Sequence, residues 1–344
     1  MTNPSIDIIV PVWNSPFETR ACLAAILRHS PGARMIVVDN GSSRETELMM
    51  EEFSEPLGEQ GLFIKSERNI GLVPAINRGL ARSDGDLAII VRPHVLVTPG
   101  WLDALREAAQ DASVGIVSPV FSGSGASQRL AVNSRHDCPF IETFSVSFSA
   151  LLLKSEMRVQ IGCFDEGLDS GEWCLIDYIR RAWSKGYRTG VTSRSRLICS
   201  QEPVFGSDAR RKSQAHISWE HYRELWGISR HYGVYFGADT DVAALADAME
   251  TIREGSRRGH RFTLLLHHRQ AREFRRCGWN CLHTGIDQVR LSMIMPQRDL
   301  VRKIGALRES APEMIMVRWQ DDASVAGMDM SIPFADVAAA LRDV

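Results

Sequence analysis

The sequence lacks an excess of charge of either sign. Its 344 residues include 40 Lys and Arg against 42 Asp and Glu, which gives a formal net charge of −2. A chain without a basic excess has no electrostatic signature of general nucleic-acid binding, so we expect no nucleic-acid partner. Charged residues are 24% and hydrophobic residues 44% of the chain, and this ordinary composition excludes a disordered or collagen-like protein.

Long apolar runs are also missing, and cysteine is scarce. No segment approaches the roughly 20 apolar residues that a membrane helix needs. The first 13 residues do not join a basic stretch to an apolar one, so we expect no signal peptide there. The seven cysteines are odd in number and mostly far apart, which does not indicate a disulfide framework and fits a reducing compartment. We therefore expect a cytoplasmic protein, either soluble or in peripheral contact with the inner face of a membrane.

The first hundred residues alternate between two hydrophobic periods. Short apolar runs rich in β-branched residues predict buried strands over 6–12, 34–38, 62–65 and 86–91. Helical patterns lie between them, and Ser15 with Glu18 forms a capping box around Pro16 at the first helical position. Such alternation predicts an α/β fold, with a mostly parallel, Rossmann-like sheet flanked by helices.

The rest of the chain divides into a less regular middle and a second α/β pattern. We expect strands over 114–120, 144–153 and 189–198, a helix over 172–185, another helix over 239–254 and a linker over 255–261. The strand–helix alternation then restarts, with LSMIMP (291–296) interpreted as a strand. The expected organisation is a first domain over 1–237, a helix and linker over 238–260, and a small α/β domain of unassigned role over 261–344.

Four segments of the first domain carry a family resemblance. In their order along the chain, these segments resemble the nucleotide-sugar half of a family 2 glycosyltransferase with the GT-A fold. They are IDIIVPVWNS, MIVVDNGS, ERNIGLVPAINRGL and GDLAIIVRPHVLVTPGWLDAL. GCFDEGL followed by GEWCLIDYIRRAWSKGYR is similar to the acceptor half, and the resemblance covers residues 5–235. It implies transfer of a sugar, with inversion, from a nucleotide sugar to a hydroxyl acceptor. The expected donor is a UDP-sugar, and the acceptor is a glycan, a lipid-linked glycan or a protein.

The resemblance implies a donor site at the carboxyl ends of the first three strands, where ligands of parallel α/β sheets bind. Asp39 would accept hydrogen bonds from the uracil or the ribose, and the segment that ends the first strand would line the base pocket. Asn69 and Gly71 would approach the nucleotide. The implied donor-site residues are Pro11, Trp13, Asn14, Asp39, Arg68, Asn69, Gly71, Asn77 and Arg92. The alternative is that these are ordinary turn and loop residues, with Gly71 supplying only a positive φ and Asn77 only a surface amide.

The metal motif departs from the family pattern. Family members usually carry an Asp-x-Asp-like motif after the fourth strand, which holds a divalent cation, Mn²⁺ or Mg²⁺, on the diphosphate. Here the segment reads Arg92-Pro93-His94, without an acid. Three interpretations stay open: His94 binds the metal, Arg92 neutralises the diphosphate directly, or catalysis has been lost.

The catalytic base is the second departure. An inverting transferase needs a carboxylate that takes the proton of the acceptor hydroxyl. The family usually places an acidic pair at the start of the helix after the FDE segment. One alignment puts Cys174 and Leu175 at those positions, and another preserves Glu172 alone. Glu172 is the first candidate base and Asp177 the second, although Asp177 is also spaced to pair with Arg180 or Arg181 on the helix face. The alternative function is a catalytically silent GT-A-like protein that binds a nucleotide sugar or acts as a scaffold.

Overall fold

The computed structural model describes residues 4–124, 138–169, 173–201, 208–319, 328 and 330–342. The chain forms two compact units. The first contains residues Met1–Phe140 and Ser145–Gly227, and the second contains Ile141–Phe144 and Ile228–Val344. The boundary therefore lies ten residues earlier than we expected, and the segment expected as helix and linker (238–260) belongs to the second unit. A four-residue segment from the middle of the chain also belongs to that unit.

A mixed sheet forms the centre of the first unit. Its strand order is β3–β2–β1–β4–β8–β6–β9–β5. The strands are β1 (Ile6–Val12), β2 (Arg34–Asp39), β3 (Gly61–Lys65), β4 (Leu87–Val91), β5 (Val95–Leu96), β6 (Val114–Ser122), β7 (Phe140–Glu142), β8 (Ala150–Lys154) and β9 (Arg188–Cys199). The helices are α1 (Pro16–His29), α2 (Arg44–Glu51), α3 (Ser54–Leu57), α4 (Leu72–Leu80), α5 (Trp101–Ala108), α6 (Ser155–Ile161), α7 (Trp173–Ser184) and α8 (Asp208–Trp226).

Strands β3, β2, β1 and β4 run parallel, as the alternation predicted, whereas β8 is antiparallel to β4. Helices cover both faces of β1. Ile8 and Val10 pack on one face with Leu23 of α1, and Ile9 packs on the other face with Ala75 of α4. This double burial explains why β1 is an almost unbroken apolar run. It also fixes the strand ends, so the loops after β1, β2 and β3 meet at one edge of the sheet.

The second unit is an all-parallel doubly wound sheet with the order β12–β11–β10–β13–β14. One face packs against α9, α10 and α12, and the opposite face packs against α11. Its strands are β10 (His231–Tyr235), β11 (Arg261–Leu266), β12 (Ile286–Arg290), β13 (Ile315–Arg318) and β14 (Ile332–Pro333). Its helices are α9 (Ala246–Arg257), α10 (His268–Arg276), α11 (Pro296–Ser310) and α12 (Phe334–Arg342).

Two sequence predictions in this unit differ from the structure. The expected linker 255–261 is confined to 258–260, because α9 continues to Arg257 and β11 begins at Arg261. A Cβ at Gly255 would lie 2.9 Å from the Phe262 ring. The expected strand LSMIMP follows β12 as a loop. The Ser292 N–H donates to the Asp299 carboxylate at 2.8 Å, and this bond turns the chain out of the sheet into α11.

Five of the cysteines are free thiols: Cys22, Cys163, Cys174, Cys199 and Cys277. Within the described part of the chain, no helix is both long and apolar enough to cross a bilayer.

Candidate active site

Side-chain hydrogen bonds join the loops that follow β1 and β2. The Asn14 N–H donates to Ser42 Oγ at 3.0 Å, and the Ser43 N–H donates back to Asn14 Oδ1 at 2.8 Å. Asn14 has a φ of 55°, a left-handed conformation that asparagine tolerates better than most residues. Asp39, which is buried at the end of β2, accepts the Ser42 N–H at 2.9 Å. The geometry thus brings Asn14 and Asp39 together at one edge, beside the buried Pro11 and the half-buried Trp13.

Asn40, which the sequence analysis did not single out, joins the loops after β2 and β3. Its buried side-chain NH₂ donates to Asn69 Oδ1 and to the Gly71 carbonyl, both at 3.0 Å. Its Oδ1 accepts the Ile70 N–H at 3.0 Å. The two loops also pass close together at Gly41, where a Cβ would lie 2.4 Å from the Arg68 backbone. The exposed Arg68 and Asn69 are therefore held beside the loop that follows Asp39.

Asp169 is a second residue that the sequence analysis missed. Its Oδ1 accepts the Val73 N–H at 2.9 Å at the start of α4. Its Oδ2 lies where a side chain at position 71 would have to go, because a Cβ on Gly71 would be 2.1 Å away. Burial raises the pKa of Asp169 above its usual range, and the Val73 N–H and the nearby Arg92 guanidinium act in the opposite direction. Asp169 thus places a carboxylate against the loop at Gly71 and the start of α4.

Arg92 and His94 follow β4 but have different surroundings. Arg92 is half-buried, and its backbone N–H donates to the Ser149 carbonyl at 3.0 Å. His94 is buried, and its Nε2 lies 3.1 Å from Ser149 Oγ. Arg92 thus lies at the carboxyl end of β4, and the His94 ring has a partner inside the protein.

The donor set around these residues does not fit a divalent cation. Hard cations such as Mg²⁺ prefer several carboxylate or carbonyl oxygens, and Mn²⁺ favours similar ligands. Among the described residues, no group of three His, Cys, Asp or Glu side chains could hold a metal ion. The neighbour that precedes His94 by two residues is the cation Arg92 rather than an acid. The residues present therefore match direct neutralisation of an anion better than metal ligation.

The Asn77 side chain binds the FDE segment (164–166) rather than lying at the carboxyl edge of the sheet. Its side-chain NH₂ donates to the Phe164 carbonyl and to Glu166 Oε1, both at 3.0 Å. Its Oδ1 accepts the Phe164 N–H at 3.1 Å. The expected role toward the nucleotide gives way to an internal one. This amide ties α4 to the FDE segment and so positions the acidic loop of Asp165, Glu166 and Asp169.

Of the two candidate bases, the structure describes Asp177 but not Glu172. Asp177 is buried in α7, with Oδ2 2.9 Å from the Arg181 guanidinium and Oδ1 accepting the Trp226 indole N–H at 2.9 Å. Both oxygens have partners in the fold, which is the helix-face pairing that its spacing allowed. Glu172 lies outside the described residues. Cys174 and Leu175, which one of the two alignments puts at the positions of the usual acidic pair, are buried.

Taken together, the edge offers a buried carboxylate, loops with exposed polar groups, a half-buried arginine and an adjoining acidic loop. These groups suit a ligand that carries a nucleoside, a diphosphate and a sugar. The sheet and this edge define the unit as an α/β domain of the GT-A class.

Comparison with known proteins agrees with that class. Residues 7–164 match the model of glycosyl transferase family 2. An N-acetylglucosaminyltransferase of Neorhizobium galegae is 32% identical over 133 residues, which are 37% of this chain and 30% of the relative. The chain thus spans less than a third of the length of that relative. The similarity to glycosyl transferase family 2 thus extends over residues 7–164, somewhat less than half of the chain.

Two solved structures share the fold. A mannosyltransferase of Pyrobaculum calidifontis, in complex with GDP-Man and Mn²⁺, superposes with a TM-score of 0.53 at 19% identity, over 65% of this chain and 64% of that one. GalNAc-T7 with UDP, GalNAc and Mn²⁺ gives 0.54 at 15% identity, over 65% and 48%. The GT-A fold expected from the resemblance is confirmed.

Proposed function

We propose that the protein transfers a sugar from a nucleotide-sugar donor to a hydroxyl acceptor with inversion at the anomeric carbon. The observation that carries this proposal is the joining of three loops at one sheet edge, where Asn14, Asp39, Asn40 and Gly71 are brought together. Ligands of parallel α/β sheets bind at this position. The match of residues 7–164 to the family 2 model and the names of the relatives support a transferase of hexoses.

The donor is proposed to be a UDP-sugar. Asp39 accepts hydrogen bonds from the uracil or the ribose, and the backbone from Pro11 to Trp13 lines the base. Asn14 holds the shape of this pocket through its bonds to the Ser42 loop. The loop at Asn69 and Gly71 covers the ribose side, and Arg68 lies at its exposed end, available to a phosphate.

Arg92 is proposed to stabilise the diphosphate as the nucleotide leaves. A guanidinium offers several N–H donors and a permanent charge, so it can neutralise developing negative charge without a metal ion. A divalent cation, if used, would have His94 as its one candidate ligand in this segment. The donor set supports the arginine mechanism over that alternative, although the fold relatives were solved with Mn²⁺.

The proposed base is Glu172. The acceptor oxygen attacks the anomeric carbon, the bond from that carbon to the phosphate oxygen breaks, and UDP leaves with the bonding electrons. The hydroxyl proton passes to the carboxylate. Asp169 acts as a positioning residue, because it fixes the start of α4 and lies against Gly71. Asp177 is assigned to the stability of α7.

The acceptor is proposed to be a hydroxyl on a glycan, a lipid-linked glycan or a protein. The protein would act in the cytoplasm, in peripheral contact with the inner face of a membrane, and the second unit would serve placement rather than chemistry. A catalytically silent, nucleotide-sugar-binding scaffold is the second candidate. It is favoured by the alignment that puts the buried Cys174 and Leu175 at the positions where family members usually carry acids.

Calorimetric titration with UDP- and GDP-sugars, with and without Mn²⁺, tests the donor site. We expect binding of at least one UDP-sugar and its loss in Asp39→Ala, with Asp84→Ala as the control for an exposed aspartate elsewhere in the unit. Absence of binding to every donor would overturn the proposal.

Donor hydrolysis or transfer separates the enzyme from the scaffold. Turnover that falls by about a hundredfold or more in Glu172→Gln, with donor affinity unchanged, supports a general base. Donor binding without turnover in the wild-type protein identifies the scaffold.

A further inference from the structure

The loop after β12 exposes three consecutive large apolar side chains. Met293, Ile294 and Met295 are 70%, 83% and 55% exposed. Isolated exposed apolar residues are common, but a contiguous group on a loop is typical of a surface that meets a partner or a membrane. These are the residues of LSMIMP, which pattern alone assigned to a strand.

The fold holds this loop in a defined shape. The Ser292 N–H donates to Asp299 Oδ2 at 2.8 Å, at the start of α11. The Asp299 carboxylate is buried and lies 2.6 Å from Arg302 and 3.1 Å from Lys303. Hydrogen bonds from Arg302 and the Ser292 N–H hold the pKa of Asp299 at about 2. The acid is therefore neutralised locally, and its bond fixes the loop from which the three side chains extend.

Cationic side chains surround the loop. The Arg290 guanidinium, at the end of β12, contacts the His268 ring at the start of α10. Desolvation lowers the pKa of His268, and so do Arg290 and Arg272, which places these two cations beside the same ring. On the other side, Arg298 Nη1 lies 3.7 Å from Met295 Sδ. Basic groups thus lie on both sides of the apolar tip.

Exposed arginines lie on α10, on β12 and at the start of α11. Arg269, Arg272, Arg290 and Arg298 are exposed, and none of them has an ion pair among the described contacts of the second unit. The exposed acids that the structure describes on these segments are Glu273 on α10 and Asp287 on β12, and Asp287 is paired with Arg261. These segments therefore combine more exposed arginines than exposed acids with an exposed apolar tip.

This combination matches an anionic bilayer. Phosphate headgroups attract basic residues, and the interface admits apolar side chains to a shallow depth. A protein partner would more usually meet a broad surface with a packed apolar centre, whereas here the apolar groups are confined to three consecutive residues of one loop.

We propose that residues 292–295 insert Met293, Ile294 and Met295 into the interface of a membrane rich in anionic lipid, while Arg269, Arg272, Arg290 and Arg298 contact the headgroups. This surface deepens the peripheral membrane contact of the proposed function. Arg257 and Arg258 are not part of this surface. Arg257 binds Glu142, and Arg258 binds the Leu341 carbonyl, within the same unit.

Sedimentation of the full chain with lipid vesicles tests the surface without any sugar donor. One set of vesicles is phosphatidylcholine alone, and the other adds phosphatidylglycerol, each at about 0.1 M and about 0.5 M salt. We expect binding to the anionic vesicles that weakens at high salt. The variant Met293→Ser/Ile294→Ser/Met295→Ser should bind about tenfold or more weakly, and Arg269→Gln/Arg272→Gln similarly.

Matched controls keep the result specific. Val159→Ser removes an equally exposed apolar side chain from the first unit. Arg261→Gln removes an exposed arginine at the first residue of β11, which is at the other end of the parallel sheet from the loop after β12. Both should bind like the wild-type protein, and circular dichroism should show all variants folded. Equal binding to both kinds of vesicle, no binding, or no effect of the triple serine variant overturns the proposal. Since donor titration is done without lipid, failure here leaves the donor site unaffected.

Discussion

The carboxylate of Asp169 occupies the space where any side chain at position 71 would begin. A Cβ on Gly71 would lie 2.1 Å from Asp169 Oδ2, and Gly71 itself has a φ of 102°. Two separate constraints therefore require glycine: the backbone conformation and the presence of the acid. The second constraint links the donor loop to the segment that follows the FDE motif, so the two halves of the candidate site depend on each other.

Gly71→Ala is expected to weaken UDP binding by about tenfold or more, because the methyl group must displace either Asp169 or the loop of Asn69. Gly32→Ala is the matched control, since Gly32 has a φ of 78° but no atom within 4 Å of a Cβ. Gly32→Ala should lose about 1–2 kcal/mol of folding stability, because alanine is disfavoured in the left-handed conformation, and should keep its affinity for UDP. Calorimetry and urea unfolding measure the two effects. Equal affinities in both variants would refute the clash.

Arg92→Gln tests how the diphosphate is held. If the guanidinium provides the charge, the substitution should weaken UDP binding by roughly 10–100-fold, because a charged hydrogen-bonding group contributes about 1.5–3 kcal/mol. Chelation of divalent cations should change wild-type affinity less than about twofold. Arg20→Gln, at an exposed arginine paired with Glu52, is the control. A loss of binding on chelation, with Arg92→Gln unaffected, would instead assign the site to a metal.

Asp177→Asn separates structural from catalytic carboxylates. The variant keeps the acceptor for the Trp226 indole but loses the buried charge that faces Arg181. We expect a loss of about 1–3 kcal/mol in the free energy of unfolding, measured with urea. Turnover per folded molecule should not change. Asp103→Asn, which breaks an exposed pair on α5, should cost less than about 0.5 kcal/mol. A kinetic defect in folded Asp177→Asn would return this residue to the reaction.

Much of the first unit could be predicted from the sequence, because its strands are buried on both faces and read as apolar runs. The predicted strand 6–12 coincides with β1, and Asn14, Asp39 and Gly71 meet because parallel strands end at one edge. Asn40 and Asp169 could not be found in this way. Asp169 meets Val73 across 96 residues of chain, and no local pattern marks such a pair.

The loop after β12 shows the opposite error. An apolar run of this length fits a strand and an exposed loop equally well, because periodicity does not report which side chains have a neighbour to pack against. The bond from the Ser292 N–H to Asp299 decides between them, and it depends on where α11 begins. A sequence pattern that assumes burial therefore misassigns an apolar segment that is exposed in the fold.

Glu142 gives the second unit a defined acid sensitivity. Burial alone would raise the pKa of Glu142, but Arg257 and Arg253, at 2.6 and 2.7 Å, outweigh it and hold the pKa at about 2. A carboxylate whose pKa is lower in the folded state stabilises the fold above its unfolded pKa and loses that contribution as the pH falls. We expect the paired Glu142 carboxylate to contribute about 3 kcal/mol to the free energy of unfolding at neutral pH. This contribution should be lost between about pH 5 and pH 2.

Glu142→Gln should remove this contribution, and thermal unfolding from neutral to acid pH measures it. The variant should be less stable than wild type at pH 7, and the difference should shrink as the pH approaches 2. Burial also lowers the pKa of His283, to about 3, so both proteins share a further loss of stability as the pH falls below about 6.5. Glu250→Gln, an exposed acid beside the same two arginines, is the control and should change stability by less than about 1 kcal/mol. A pH-independent difference between wild type and Glu142→Gln would show that the lost stability comes from packing rather than from the paired charge.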